Sequence, residues 1–211
     1  MIGLSPYWLL RQALLLGCIL LLCTMAPHVA SADPSLDLIE SKETKRLPVV
    51  QPKWPRPNDA GQVFYIQRSM NPNTVVYRAR YDASGDLISS RPLDAYWRRY
   101  AEEGQTRRLK VVERLFAYGI SARALRSGEG FAARFAALPK LAPELRQEAP
   151  FKSALWVRIQ GREYRLIYGY LDLDESGLIA KVVRLRLFTF DPKKDAYVTH
   201  MISVSGGDIR Q

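Results

Sequence analysis

From Gln62 the chain alternates two sets of side chains with a period of two. In QVFYIQRS, Val63 and Tyr65 oppose Phe64 and Ile66; in TVVYRARY, Val75, Tyr77, Ala79 and Tyr81 oppose Thr74, Val76, Arg78 and Arg80. Such alternation marks half-buried strands, and the Asn-Pro-Asn turn at 71–73 joins the two runs as a hairpin. DASGD at 82–86 is the next loop, and 96–100 reads as a third strand. The second half repeats the pattern over 153–159, 163–170, 181–190 and 196–204, with connections at 160–161, 172–177 and 191–195 that hold the Gly, Pro or Asp a tight reversal requires. FAARFAALP at 131–139 fits either a strand or one short helix. The pattern predicts a mainly β (α+β) fold: about seven or eight strands, mostly hairpin-linked, in an antiparallel sheet curled on itself or closed as a barrel.

One segment changes period. In TRRLKVVERLFAYG (106–119), Leu109, Val112 and Phe116 recur at helical spacing with Leu115 beside them, while Arg107, Lys110 and Arg114 fall opposite. This predicts a single amphipathic helix docked on the sheet by its apolar stripe. Gly119 is a natural C-terminal stop, and Arg114 lies near the end where positive charge suits the helix dipole.

The ends of the chain read differently. Arg11 is the only charge in residues 1–32, and the apolar run at 13–23 precedes Ala30-Ser31-Ala32, the small-residue pattern a signal peptidase needs. About eleven apolar residues are fewer than the roughly 20 a spanning helix needs, so 1–32 is expected to be a cleaved signal peptide, with no transmembrane segment afterwards. A lipoprotein signal ending at Cys18 and an uncleaved anchor are the alternatives. Export, most simply to a periplasm, is the expected localisation. Residues 33–57, punctuated by Pro34, Pro48, Pro52, Pro55 and Pro57, are expected as a flexible Pro-rich arm whose Trp54 could dock it, with order beginning near Pro55. A single β-rich domain then fills 58–204, and 205–211 is a short tail.

Cleavage would remove Cys18, Cys23 and His28, leaving His200 as the single histidine. That excludes disulfides, Cys/His zinc sites and cysteine nucleophiles from the mature chain. Only one charge leaves with the leader, so the net charge falls from +10 to +9. An exported protein rarely meets nucleic acid, so anionic lipid, lipopolysaccharide phosphates and acidic glycans are the expected counter-charges, with plain solubility as the alternative. In YWRRY, alternation puts Trp97 and Arg99 on one face and Tyr96, Arg98 and Tyr100 on the other, so burying either face draws an arginine inward. Arg158, Arg165, Arg184 and Arg186 recur on the C-terminal strands and would form one basic stripe if those strands are neighbours. Arginine forks suit phosphate and carboxylate. Trp97, Arg99, Arg158, Arg165, Arg184 and Arg186 are therefore the candidate ligand-binding residues. Convergence on a concave site without acidic partners would favour ligand binding; scatter over a convex face would favour an interaction surface.

Catalytic signals are weak. DLDESG (172–177) resembles the start of a calcium loop, but Val183 stands where the bidentate Glu belongs. His200 sits in an alternating strand, and no G-x-S-x-G elbow occurs; GISAR lacks the closing Gly. SGEGF is too short for a phosphate loop. No catalytic residue, metal site or cofactor is assigned. The expected function is a non-enzymatic envelope domain binding an anionic or amphiphilic ligand; the alternatives are a protein-protein interaction module of the envelope and, third, a hydrolase.

Several short landmarks occur in a familiar order: PRPN at 55–58, Gln67-Arg68, NPNT at 71–74, YWRRY at 96–100, FAYG at 116–119 and GLIAKV at 177–182. Together they resemble a bacterial family of exported proteins known as domain of unknown function 4833, over roughly residues 55–203. The resemblance implies an exported, single β-rich domain. It carries no established activity and no catalytic residues.

Overall fold

The structure, a computed structural model, describes residues 38–174, 176 and 181–203. The expected leader at 1–32, the tail at 205–211 and Gly177 lie outside the described residues. The described chain forms strands β1 (Leu38–Thr44), β2 (Gln62–Arg68), β3 (Thr74–Ala79), β4 (Leu93–Arg99), β5 (Gln105–Arg108), β6 (Ile120–Ala124), β7 (Phe131–Phe135), β8 (Glu144–Ala149), β9 (Lys152–Ile159), β10 (Arg162–Asp174), β11 (Lys181–Asp191) and β12 (Ala196–Ser203). One α-helix, α1 (Val111–Phe116), sits between β5 and β6, and a short 3-10 helix (Tyr100–Glu102) follows β4.

Nine strands run side by side in the order β5-β4-β3-β2-β10-β9-β8-β7-β6. The long strand β10 organises them. Its residues 162–165 pair antiparallel with β9, whereas 169–171 pair in parallel with β2. Its other edge takes β11, followed by β12 and β1. One strand edge thus serves two neighbours, and the sheet curls there into a half-barrel that brings β4 and β6 near each other without pairing. Gly169 sits at this fork, where a Cβ would lie 3.3 Å from the Phe64 ring.

The curled, mainly β architecture is as the periodicity predicts, but two features need correcting. The sheet is mixed, because β2 and β10 run in parallel while every other pair is antiparallel. Twelve strands are present among the described residues: β1, β5 and β8 carry no apolar alternation and are held by backbone pairing, and β6 alternates only over the five residues ISARA.

The concave face buries the main core. Phe64, Tyr77 and Phe135 pack with ring centroids 5.1–5.6 Å apart, surrounded by Leu145, Leu155, Leu166 and Leu187. A second cluster lies on the outer face, where Tyr168 stacks on Phe188 at 4.1 Å and on Tyr65 at 5.1 Å. Residues 38–57, part of the stretch expected as a flexible arm, account for this second cluster. β1 pairs with β12, and Leu47, Val50 and Trp54 then pack over the outer aromatics. The Tyr168 hydroxyl donates to the Pro48 carbonyl at 2.7 Å, and Gln51 donates to the Tyr170 hydroxyl at 3.1 Å. Prolines cannot donate to a sheet ladder, so beyond β1 the segment is held by the packing of Leu47, Val50 and Trp54 and by these two hydrogen bonds. Structured chain therefore begins upstream of Pro55.

The expected docked helix is also corrected. Residues 105–108 are drawn into β5 by the edge of β4, which leaves only six residues to α1. Glu113 accepts the Lys110 backbone N–H at 2.7 Å and the Arg107 guanidinium at 2.7 Å, fixing the helix start against the sheet. The apolar stripe faces outward: Val111, Val112, Leu115 and Phe116 are 50–68% exposed.

Candidate functional site

The half-barrel leaves an open seam. β5 pairs only with residues 96–99 of β4, so 93–95 keep one edge free, and β6 is the last strand of its path. Between these edges lies a groove of about 660 Å³. Strand register explains what lines it. Arg78 stands opposite Asp94 across β3 and β4, and Tyr96 stands opposite Arg108 across β4 and β5, so all four share the outer face. Arg80, Arg91 and Arg114 complete the polar wall, while Leu93, Leu109 and Ile120 form an apolar floor continuous with the core.

The charge of this groove is unbalanced. Asp94 is its one carboxylate against five arginines. It accepts from Arg91 at 2.7 Å, lies 3.7 Å from Arg78, and also accepts the free-edge N–H of Ala95 at 3.0 Å. The Arg78 guanidinium lies 5.2 Å from the centre of the Tyr96 ring. Arg80, Arg108 and Arg114 have no carboxylate partner among the described residues. A second cavity, of about 900 Å³, contrasts with it: Asp86, Glu129 and Glu144 there face Arg126 and Arg146. Of these two cavities, the seam groove concentrates guanidinium groups in a depression with few acids, the arrangement that favours phosphate or carboxylate.

The six residues singled out from the sequence lie elsewhere. Trp97 is buried in the core, edge-on to Tyr118 at 5.0 Å, with the guanidinium of Arg68 4.6 Å and that of Arg107 5.9 Å from its ring centre. Arg99 pairs with Glu102 at the end of β4. Arg186 makes a two-pronged bond to Asp172 at 2.6 and 2.9 Å and lies over Tyr170, and Arg184 approaches the same carboxylate at 3.5 Å. Asp172 also holds the Arg186 guanidinium in its charged form. Arg158 and Arg165 belong to the other end of β10, where Arg158 stands opposite Glu163 and Arg165 opposite Trp156. Arg184 and Arg186 therefore come together, around an acid, while Arg99, Arg158 and Arg165 do not join them. The groove residues Arg78, Arg80, Arg91, Arg108 and Arg114 escaped the sequence reading, although Arg78 and Arg80 are conspicuous as charges in an otherwise apolar strand.

His200 is held in a buried chain of hydrogen bonds across three strands. Thr189 donates its hydroxyl to the Val198 carbonyl at 3.1 Å, so its oxygen accepts from the Nε2–H of His200 at 3.1 Å. That leaves Nδ1 to accept the hydroxyl of Ser41 at 2.9 Å. Burial pushes the imidazole down from 6.5 to about 4, so it is neutral at ordinary pH. A serine triad needs a carboxylate on the far nitrogen to stabilise the imidazolium; a hydroxyl stands there instead. The arrangement bolts β1 to β12 and β11. In the 172–177 stretch, Asp172 is occupied by arginine and Asp174 accepts the Ser176 N–H at 2.9 Å. Among the described residues no group of three or more His, Cys, Asp or Glu side chains is placed to hold a metal ion, and no helix is long and apolar enough to cross a membrane.

The chain belongs to the family described as Domain of unknown function (DUF4833), whose model matches residues 64–200. That span contains the whole seam groove, from Arg78 to Ala122. Searches of curated proteins and of solved structures returned no match.

Proposed function

We propose that this member of the DUF4833 family is an exported, non-enzymatic domain that binds the acidic group of an envelope ligand in the seam groove. The observation that carries this reading is the set of five arginines facing one carboxylate in a depression of about 660 Å³. The forks of Arg80, Arg108 and Arg114 are available to phosphate or carboxylate oxygens, and the floor of Leu93, Leu109 and Ile120 suits an apolar portion beside the acid. Lipid phosphate, lipopolysaccharide phosphate and acidic glycan share this chemistry.

Titration with pyrophosphate, followed by calorimetry, tests the groove directly. Arg80→Ala combined with Arg108→Ala should weaken binding by at least about tenfold, since each charge-assisted bond contributes roughly 1.5–3 kcal/mol. Native mass spectrometry of the chain purified from its own envelope would name the class of the natural ligand. Failure to bind pyrophosphate, or binding that the double variant leaves intact, would sink the proposal.

A second reading rests on a separate observation: residues 93–95 of β4 and the outer edge of β6 are both unpaired. A strand from an envelope partner could add to either edge. Pyrophosphate would then leave partner capture unaffected, whereas a groove ligand would be displaced.

A further inference from the structure

We infer that α1 is a membrane-docking wedge that seats this face of the protein on an anionic lipid bilayer. Val111, Val112, Leu115 and Phe116 are 59, 68, 58 and 50% exposed, and α1 contains no buried residue. At about 100° per residue the four side chains span roughly 140° of the helix surface, a continuous apolar stripe. A stripe of this kind on an outward-facing helix is a contact surface. Its surroundings specify the partner. Arg108, Lys110 and Arg114 flank the stripe in sequence and have no acidic partner among the described residues, while Arg107 is matched by Glu113. Apolar side chains within a basic collar match the two layers of an anionic leaflet: acyl chains at depth and phosphates above them. A second copy of the chain would bring identical basic collars into opposition. Because Arg108 and Arg114 also line the groove, docking α1 would set the groove at headgroup level.

The inference stands on the apolar stripe and its collar, so it can fail while the groove reading survives. The test is co-sedimentation of the full purified chain with vesicles of mixed phosphatidylglycerol and phosphatidylcholine, against phosphatidylcholine alone. Binding should require the anionic lipid and weaken with salt, and each basic residue removed near the leaflet should weaken it by about fivefold. Val112→Ser combined with Phe116→Ser should reduce vesicle binding by about tenfold or more while leaving pyrophosphate binding unchanged. Leu115→Ser serves as a second variant should the pair perturb folding, and a thermal melt confirms the fold of each. Absence of vesicle binding overturns the inference. So does binding that survives loss of the apolar side chains, which would assign the attraction to charge alone. Vesicle binding lost in the apolar variants, with pyrophosphate binding retained, supports it even if the Arg80/Arg108 variant binds pyrophosphate as the native chain does.

Discussion

The buried imidazole of His200 makes acid sensitivity a direct probe of the fold. Its folded value is about 4 against 6.5 when unperturbed, and burial is the cause. The sign follows from proton counting. Between these two values the unfolded chain carries a proton on His200 that the folded chain does not, so acidification favours unfolding. The contribution is fully present above 6.5, declines as pH falls, and is exhausted near 4. At about 1.36 kcal/mol per pH unit the complete loss is about 3 kcal/mol, and about 2 kcal/mol of it falls between pH 7 and pH 5. That interval isolates the group. Hydrogen bonds hold Asp82 below 3.8; for Glu113 and Glu163, bonds to Arg107 and Arg146 outweigh burial and hold them below 4.5, so the windows of these carboxylates open at lower pH. Urea unfolding at pH 7, 6 and 5 should show the native chain losing about 2 kcal/mol, equivalent to about 4–8 °C in melting temperature. His200→Gln keeps a donor and an acceptor but cannot titrate, and its stability should be flat across the same interval. Equal slopes for the two proteins, or a native chain indifferent to pH between 7 and 5, would refute the buried-neutral assignment.

Two substitutions test the packing of the core and of the α1–β6 connection. Tyr77 is wholly buried, and its hydroxyl has no hydrogen-bond partner in the structure; Tyr77→Phe should stabilise the protein by about 1 kcal/mol in a denaturant titration, and a loss instead would reveal a partner for that oxygen. At Gly119 an added Cβ would stand 1.7 Å from the backbone carbonyl oxygen of Arg114. Gly119→Ala should therefore displace the end of α1, lowering stability by about 3 kcal/mol in thermal melts and weakening pyrophosphate binding through the groove wall that Arg114 and Gly119 share. Unchanged melting would show that the α1–β6 connection relaxes freely.

What the sequence reveals of this fold depends on whether pairing or packing holds each strand. β12 buries every second residue, while β2, β3, β9 and β11 carry apolar runs buried on both faces over part of their length, so the presence of all five is legible from their side chains. β1 reads LIESKET and is exposed along most of its length; β5 reads QTRR. Such strands exist because a neighbour offers its backbone, and side-chain pattern carries no trace of that. The same competition explains α1. Leu109, Val112 and Phe116 satisfy a helical period on paper, yet 105–108 gain more as a strand on β4 than as a first helical turn. Once they are taken, the remaining six residues present their apolar side chains to solvent.

Charge was harder to read than fold, for a related reason. The C-terminal arginines do lie on adjacent strands, and one clue to their fate was available. Asp172 lies on the same hairpin as Arg184, and the register makes them direct partners, one residue off a simple outward count because the ladder shifts between Asp172 and Leu173. An acid on the facing strand of a hairpin is thus where the partner of a basic stripe is to be sought. No such local clue could find the groove. Its arginines come from β3, the loop before β4, β5 and α1, and its far wall from β6. These elements meet only because β10 forks and curls the sheet until its two ends approach. The parallel pairing of β2 with β10 spans about 100 residues of sequence, and no local pattern encodes it. An arginine in an apolar strand is therefore informative only in combination with closure. Arg78, opposite Asp94 and beside the open seam, is half-exposed in a groove with surplus positive charge, whereas Arg186, in an equally regular strand, has its carboxylate built in.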